Sequence, residues 1–187
     1  MKLSADIRQT GNSCLIISPT IILNSLTGLT SNELINIFLR KEDHLFSDYA
    51  IDKGIINNLS AECSFIYLYY SVVNKTNGQL QFNNEYIANS FQELALIYGI
   101  SMERIDVNGD FDRIDGILKN EKAFLSLSYF IRNIGWHAVP IGYDNGYYAV
   151  NAISGTYRDF GPNLDNVNTI DDIESIGDGI LFTMLGK

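Results

Sequence analysis

Hydrophobic positions along the chain fall into two regimes, a helical one first and an extended one later. From Cys14, the stretch CLIISPTIILNSL puts apolar residues at 15, 16, 17, 21, 22, 23 and 26. That is nearly all round a helical surface and predicts a helix buried on most sides. Pro19 comes early in it, where it kinks the first turns without ending the helix. GLTSNELINIFLRKE follows, with Thr30 and Glu33 at capping-box spacing, and predicts a second helix start. NLSAECSFIYLYYSVVNKT (58–76) and NNEYIANSFQELALIYGI (83–100) predict two more helices, and IDVNGDFDRIDGILKN predicts a turn and a short helix near 111–119.

The pattern then changes. KAFLSLSYF (122–130), WHAVPIGY (136–143), YYAVNAI (147–153) and GILFTML (179–185) are β-branched or aromatic runs bounded by Gly, Asn and Asp, which is strand composition. TIDDIESI predicts a short helix before the last of them. Helices followed by an antiparallel sheet make an α+β pattern. The expectation is one domain over 1–187, with a helical part at about 13–120 and a sheet part at about 121–187.

Composition narrows the function. The chain is 46% hydrophobic and 12% aromatic, which argues against disorder, and its longest apolar runs are far short of a membrane span. Thirteen Lys and Arg against 22 Asp and Glu give a net charge of −9. The basic residues never gather into a stripe that could neutralise phosphates, so nucleic acid is not the expected partner. Cys14 and Cys63 are too few for a disulfide framework and lack metal-ligand spacing, which suits a reducing compartment and a site with neither metal nor organic cofactor. The opening MKLSADIRQT has no apolar core of a secretory signal, so the expected location is the cytoplasm, or outside by another route or within a longer chain.

A cysteine nucleophile needs a base, an orienter for that base, and donors for the oxyanion formed on attack. Cys14 at a helix N-terminus is expected to feel the positive end of the helix dipole, lowering its pKa from about 8.5 towards the ~3.5–7.5 of activated thiols. Of the two histidines, His44 lies in the charged turn RKEDHLF and reads as surface, whereas His137 opens a strand. Hairpin geometry relates His137 to Asn151. A two-residue turn at Asn145-Gly146 would point Asn151 away from His137. A three-residue loop, Asp144-Asn145-Gly146 with Gly146 left-handed, would set Tyr143 opposite Tyr147 and Val139 opposite Asn151. His137 and Asn151 would then be diagonal neighbours on one face. Pro140, lacking an N–H, is expected at an outward-facing or bulged position. Cys63 reads as core packing, the tyrosine clusters as core and sheet packing, and NLDNVNTIDDIESIGD as a solvated loop and helix start without calcium-loop spacing.

WHAVPIGYDNGYYAVNAISG resembles the His-to-Asn hairpin of papain-like cysteine peptidases, and CLIIS is similar to their C-x-x-x-S helix start. The order Gln, Cys, His, Asn is also that of the superfamily. With Cys14 so near the start, the chain resembles most the small bacterial members, such as bacteriocin leader-processing peptidases and related toxins and effectors. The resemblance covers 1–30 and 121–187, about half the chain. It implies a papain-like fold, Cys14 as nucleophile, His137 as general base and acid, Asn151 as its orienter, and Gln9 with the Cys14 N–H as oxyanion donors, Asn12 being the alternative to Gln9. Leu15 stands where many relatives have Trp or Gly. Asn151 stands where the small bacterial peptidases usually have Asp, and Trp136 precedes the histidine where relatives have a Trp after the Asn.

The resemblance also implies a protein or peptide substrate. An inhibitor, an immunity protein or a larger parent chain would restrain the enzyme, because little chain precedes Cys14 to serve as a propeptide. The rival expectations are a glutamine deamidase or transglutaminase-like acyl transferase on a host protein, and a catalytically inactive peptide-binding module.

Overall fold

The protein is described from a computed structural model, which defines residues 1–9, 14–34, 84–170 and 173–186. Helix α1 (Cys14–Thr27) is the expected buried helix, with Ile16, Ile17, Ile21, Ile22 and Leu23 at most 1% exposed. It runs through Pro19 and ends at Gly28, whose φ of 78° suits a glycine and whose N–H bonds the Asn24 carbonyl at 2.9 Å. The next helix start carries the capping box: the Thr30 N–H donates to Glu33 Oε2 at 2.8 Å and the Glu33 N–H to Thr30 Oγ1 at 3.2 Å. Helix α2 (Asn84–Ile97) turns Phe91, Leu94 and Ala95 inward. The predicted helix at 58–76, with Cys63, lies outside the described residues, as do His44 and Asn12.

Strand β1 (Ile100–Asp106) follows, then helix α3 (Phe111–Asn120), β2 (Ala123–Ile131), β3 (Gly135–Tyr143), β4 (Tyr147–Asn151), β5 (Thr156–Gly161), a 3₁₀ turn over Leu164–Thr169, and β6 (Ile173–Met184). They form one six-stranded antiparallel sheet in the order β1, β6, β2, β3, β4, β5. The α+β mixture holds. Two strands correct the expected division: β1 lies in the part read as helical, and β5 was not expected. Both are edge strands with largely exposed, charged sequences, ISMERID and TYRDFG, which carry little of the apolar alternation that marks a strand. The helix expected over TIDDIESI is also corrected, because β6 already begins at Ile173 and 164–169 takes the 3₁₀ form.

The sheet is covered on both faces, so the helices do not all sit on one side of it. On one face, α1 and α2 pack with Leu3, Phe124, Tyr148, Val150, Ile180 and Phe182. On the other, α3 and the 3₁₀ turn cover Leu125, Leu127, Tyr129, Val139, Ile141 and Tyr147. Central β2, buried at all but one position, reads as a near-continuous apolar run for that reason. No described helix is long and apolar enough to cross a membrane.

Candidate active site

Docking of α1 on the sheet determines where Cys14 lies. Its buried face includes Ser18, whose hydroxyl shares a 2.7 Å hydrogen bond with that of Ser126 on β2. Alternation along β3 turns Ala138, Pro140 and Gly142 towards this face and His137, Val139 and Ile141 towards the other. Residues as small as Ala138 and Gly142 let the start of α1 come close to the strand. Cys14 is half-buried there, and its sulfur takes hydrogen bonds from the Ala138, Leu15 and Cys14 N–H groups. Burial nevertheless pushes the thiol above its ordinary value, outweighing the three donors. This direction runs against the lowering expected from the helix N-terminus.

The His–Asn hairpin adopts the three-residue register. Tyr143 pairs with Tyr147, Gly142 with Tyr148 and Ile141 with Ala149, the register that puts Asn151 on the same face as Val139 and His137. Gly146, at φ 155°, has the positive φ expected of it, and Asn145, at φ 57°, takes one as well, a conformation that asparagine visits occasionally. Beyond Ile141 and Ala149 the two strands no longer pair. Pro140 falls one residue past that last pair, buried rather than outward-facing, where its missing N–H breaks no β3–β4 ladder.

Two cavities, of about 680 and 300 Å³, open where β3 and β4 part, and His137, Asn151 and Arg158 line both. His137 packs edge-on against Tyr129, with ring centroids 5.6 Å apart at 85°. Asn151, on the same face, has its side-chain oxygen engaged by its own turn, accepting the N–H groups of Ile153 at 3.0 Å and Ser154 at 3.2 Å. The orienting bond to His137 is not what that oxygen makes. Gln9 arrives from the N-terminal segment, its N–H bonded to the Ala152 carbonyl at 3.0 Å, directly after Asn151.

All four sequence-predicted residues thus come to one end of the sheet. Cys14 touches the β3 backbone at Ala138 from the α1 side, while the adjacent His137 faces the cavities with Asn151. The groups acting on the thiol are backbone amides, and the imidazole is not among them.

Four further residues contribute that were not singled out from the sequence. Tyr129 flanks the imidazole. Arg158 is fixed at the cavity rim by donating to the Thr169 carbonyl at 2.6 Å. Tyr148 and Tyr157 clasp Leu3, the first accepting its N–H at 2.8 Å and the second donating to its carbonyl, and so hold the segment that carries Gln9. Pattern could have flagged only Tyr129, which alternates with Leu127 and Ile131 on the His137 side of β2. No protein-family model matches this chain, and no curated protein sequence matches it.

Proposed function

We propose that the protein is a thiol-dependent amide hydrolase of papain-like type, acting on a protein or peptide with Cys14 as nucleophile and His137 as general base and acid. The observation that supports it is the seating of the Cys14 sulfur on the Ala138 N–H, one residue from His137, with Gln9 and Asn151 at the same sheet end. Because burial raises the thiol's pKa, the proton leaves during attack rather than before it. His137 accepts it as Sγ bonds to the carbonyl carbon, and the oxyanion meets the Cys14 N–H and the Gln9 carboxamide. Imidazolium then protonates the leaving nitrogen and the C–N bond breaks, leaving a thioester. Water, giving a proton to His137, attacks the thioester; the C–S bond breaks and the sulfur recovers its proton. The ring and the sulfur lie on opposite faces of β3, so this transfer requires the unpaired end of β3 beyond Ile141 to rearrange when substrate binds. Active-site hydrogen bonds are often looser before substrate binds. A backbone amide gives peptide hydrolysis, and a glutamine side chain gives deamidation.

Two observations favour a second reading, a peptide-binding module without turnover: the raised thiol, and the engagement of the Asn151 oxygen away from His137. Mass spectrometry of peptide and protein libraries incubated with wild type, Cys14→Ala and His137→Ala decides between them. The hydrolase yields fragments or deamidated products that both variants abolish. Identical products, or none, from wild type and Cys14→Ala between about pH 6 and 9 would leave only the binding module.

A further inference from the structure

The hairpin of β3 and β4 stops pairing sooner than its strands end. Continued from Ile141 and Ala149, its register would set Ala138 opposite Ala152, and these two residues are buried, at 4% and 8% exposure. Each instead takes a partner from the start of the chain. The Ala138 N–H donates to the Cys14 sulfur, and the Ala152 carbonyl accepts the Gln9 N–H at 3.0 Å. Pro140 has no N–H to offer Val150, which the same register would set opposite it, so a closed hairpin is weakened at that rung.

Residues 1–9 are held by β4, β5 and the turn between them. Leu3 is fully buried, with the Tyr148 and Tyr157 hydroxyls on its N–H and carbonyl. The Lys2 ammonium lies 4.1 Å from the Tyr157 ring centre and 5.0 Å from that of Tyr148. Arg8 donates to the Ile153 carbonyl at 3.4 Å. A thiol sulfur is a weaker acceptor than a carbonyl oxygen. While Gln9 engages Ala152, the Ala138 N–H stays with Cys14; once Gln9 withdraws, a buried carbonyl without a donor faces, in register, an N–H with a poor acceptor.

We infer that residues 1–9 form a strap that keeps β3 and β4 apart, and that its release lets Ala138 pair with Ala152, closing the hairpin and unseating Cys14. With the strap bound the thiol is seated beside His137, and with the strap cut or captured that seat is gone. The consequence for catalysis rests on the thiol-site proposal; the strand switch does not.

The test uses the full chain in three forms: wild type, Leu3→Asp, which puts a charge into the buried anchor, and Lys2→Ala with Tyr157→Phe, which removes only contacts at a partly exposed ring. Amide exchange and cross-strand NOEs are read by NMR, and Cys14 alkylation by iodoacetamide is read by peptide mapping. In Leu3→Asp the Gln9 amide should exchange at least about tenfold faster while the Ala138 amide stays slow. An NOE between the Ala138 and Ala152 amides should appear, and Cys14 should alkylate about tenfold faster at neutral pH. The double variant should move each readout in the same direction by less, and it decides alone where Leu3→Asp loses its native circular dichroism spectrum. Faster exchange of Gln9 and Ala138 together without that NOE, or Gln9 exchange or Cys14 reactivity unchanged in both variants, would overturn the inference. None of these readouts needs turnover. A wild type that cleaves nothing would therefore remove the hydrolase and leave the strap standing, and cleavage by a chain whose strands never pair at Ala138 would do the reverse.

Discussion

Replacing Tyr148 with phenylalanine removes one oxygen from the contact that anchors the N-terminal segment. Tyr148 is 1% exposed and Leu3 0%, and the Leu3 N–H donates to the phenol oxygen at 2.8 Å. Phenylalanine keeps the ring over Gly142, where an added Cβ would lie 2.5 Å from the phenol oxygen, so packing is conserved. What is lost is the acceptor for a buried N–H that water does not reach. Such an orphan costs about 1–3 kcal/mol, and at roughly 2–4 °C per kcal/mol for a chain of this size the melting temperature should fall by about 2–12 °C. Tyr157→Phe is the matched control. Its hydroxyl donates to the Leu3 carbonyl, but Tyr157 is 40% exposed, so water replaces it and the loss should stay below about 1 kcal/mol. Thermal melts followed by circular dichroism measure both. Hydrogen exchange at Leu3 and Gln9 should accelerate more in Tyr148→Phe, because the two N–H groups anchor one segment. Equal melting temperatures for the two variants, or a larger loss for Tyr157→Phe, would refute the reasoning that burial decides the cost.

Alkylation of Cys14 by iodoacetamide, read by peptide mapping to separate it from Cys63, should be slower at neutral pH than in the unfolded chain and still rising above about pH 8.5, because burial raises its pKa; an inflection below about pH 7 would contradict this. Ser18→Ala or Ser126→Ala alone leaves a buried hydroxyl unpaired and should cost about 1–3 kcal/mol, whereas the double substitution should recover part of it, a coupling that denaturant melts of the four proteins measure. Burial pushes Tyr148 to about 12, and burial with the Asp115 hydrogen bond pushes Tyr147 higher still. Both phenols are raised above their unfolded value of about 10, so the stability from their neutral forms is complete below pH 10 and is lost as pH climbs through the folded values. Tyrosinate absorbance should therefore show two phenols that ionise only with alkaline unfolding.

Local pattern was sufficient wherever one short segment decides the outcome. The apolar sweep after Cys14 determined α1, Thr30 and Glu33 its successor's cap, and the alternation around YDNG a hairpin whose two possible registers could be written down in advance. Even the choice between them was legible as a condition, since only the Tyr143–Tyr147 pairing puts Asn151 on the face of His137. The edge strands β1 and β5 were not legible, because a strand paired on one side with an exposed, charged face has little hydrophobic period to display. The candidate site divides in the same way. Residue order and type belong to the sequence and suffice to nominate Gln9, Cys14, His137 and Asn151. Whether a thiol at a helix start ionises easily does not follow from that position, because the helix end favours the charge while the surrounding protein removes its water, and only packing reveals which prevails. Packing alone likewise decided that β3 and β4 part beyond Ile141, that Asn151 turns its oxygen to its own backbone, and that Arg158 stands at the cavity rim. Each of these depends on contacts between segments distant in the chain, and such contacts leave no local periodicity to read.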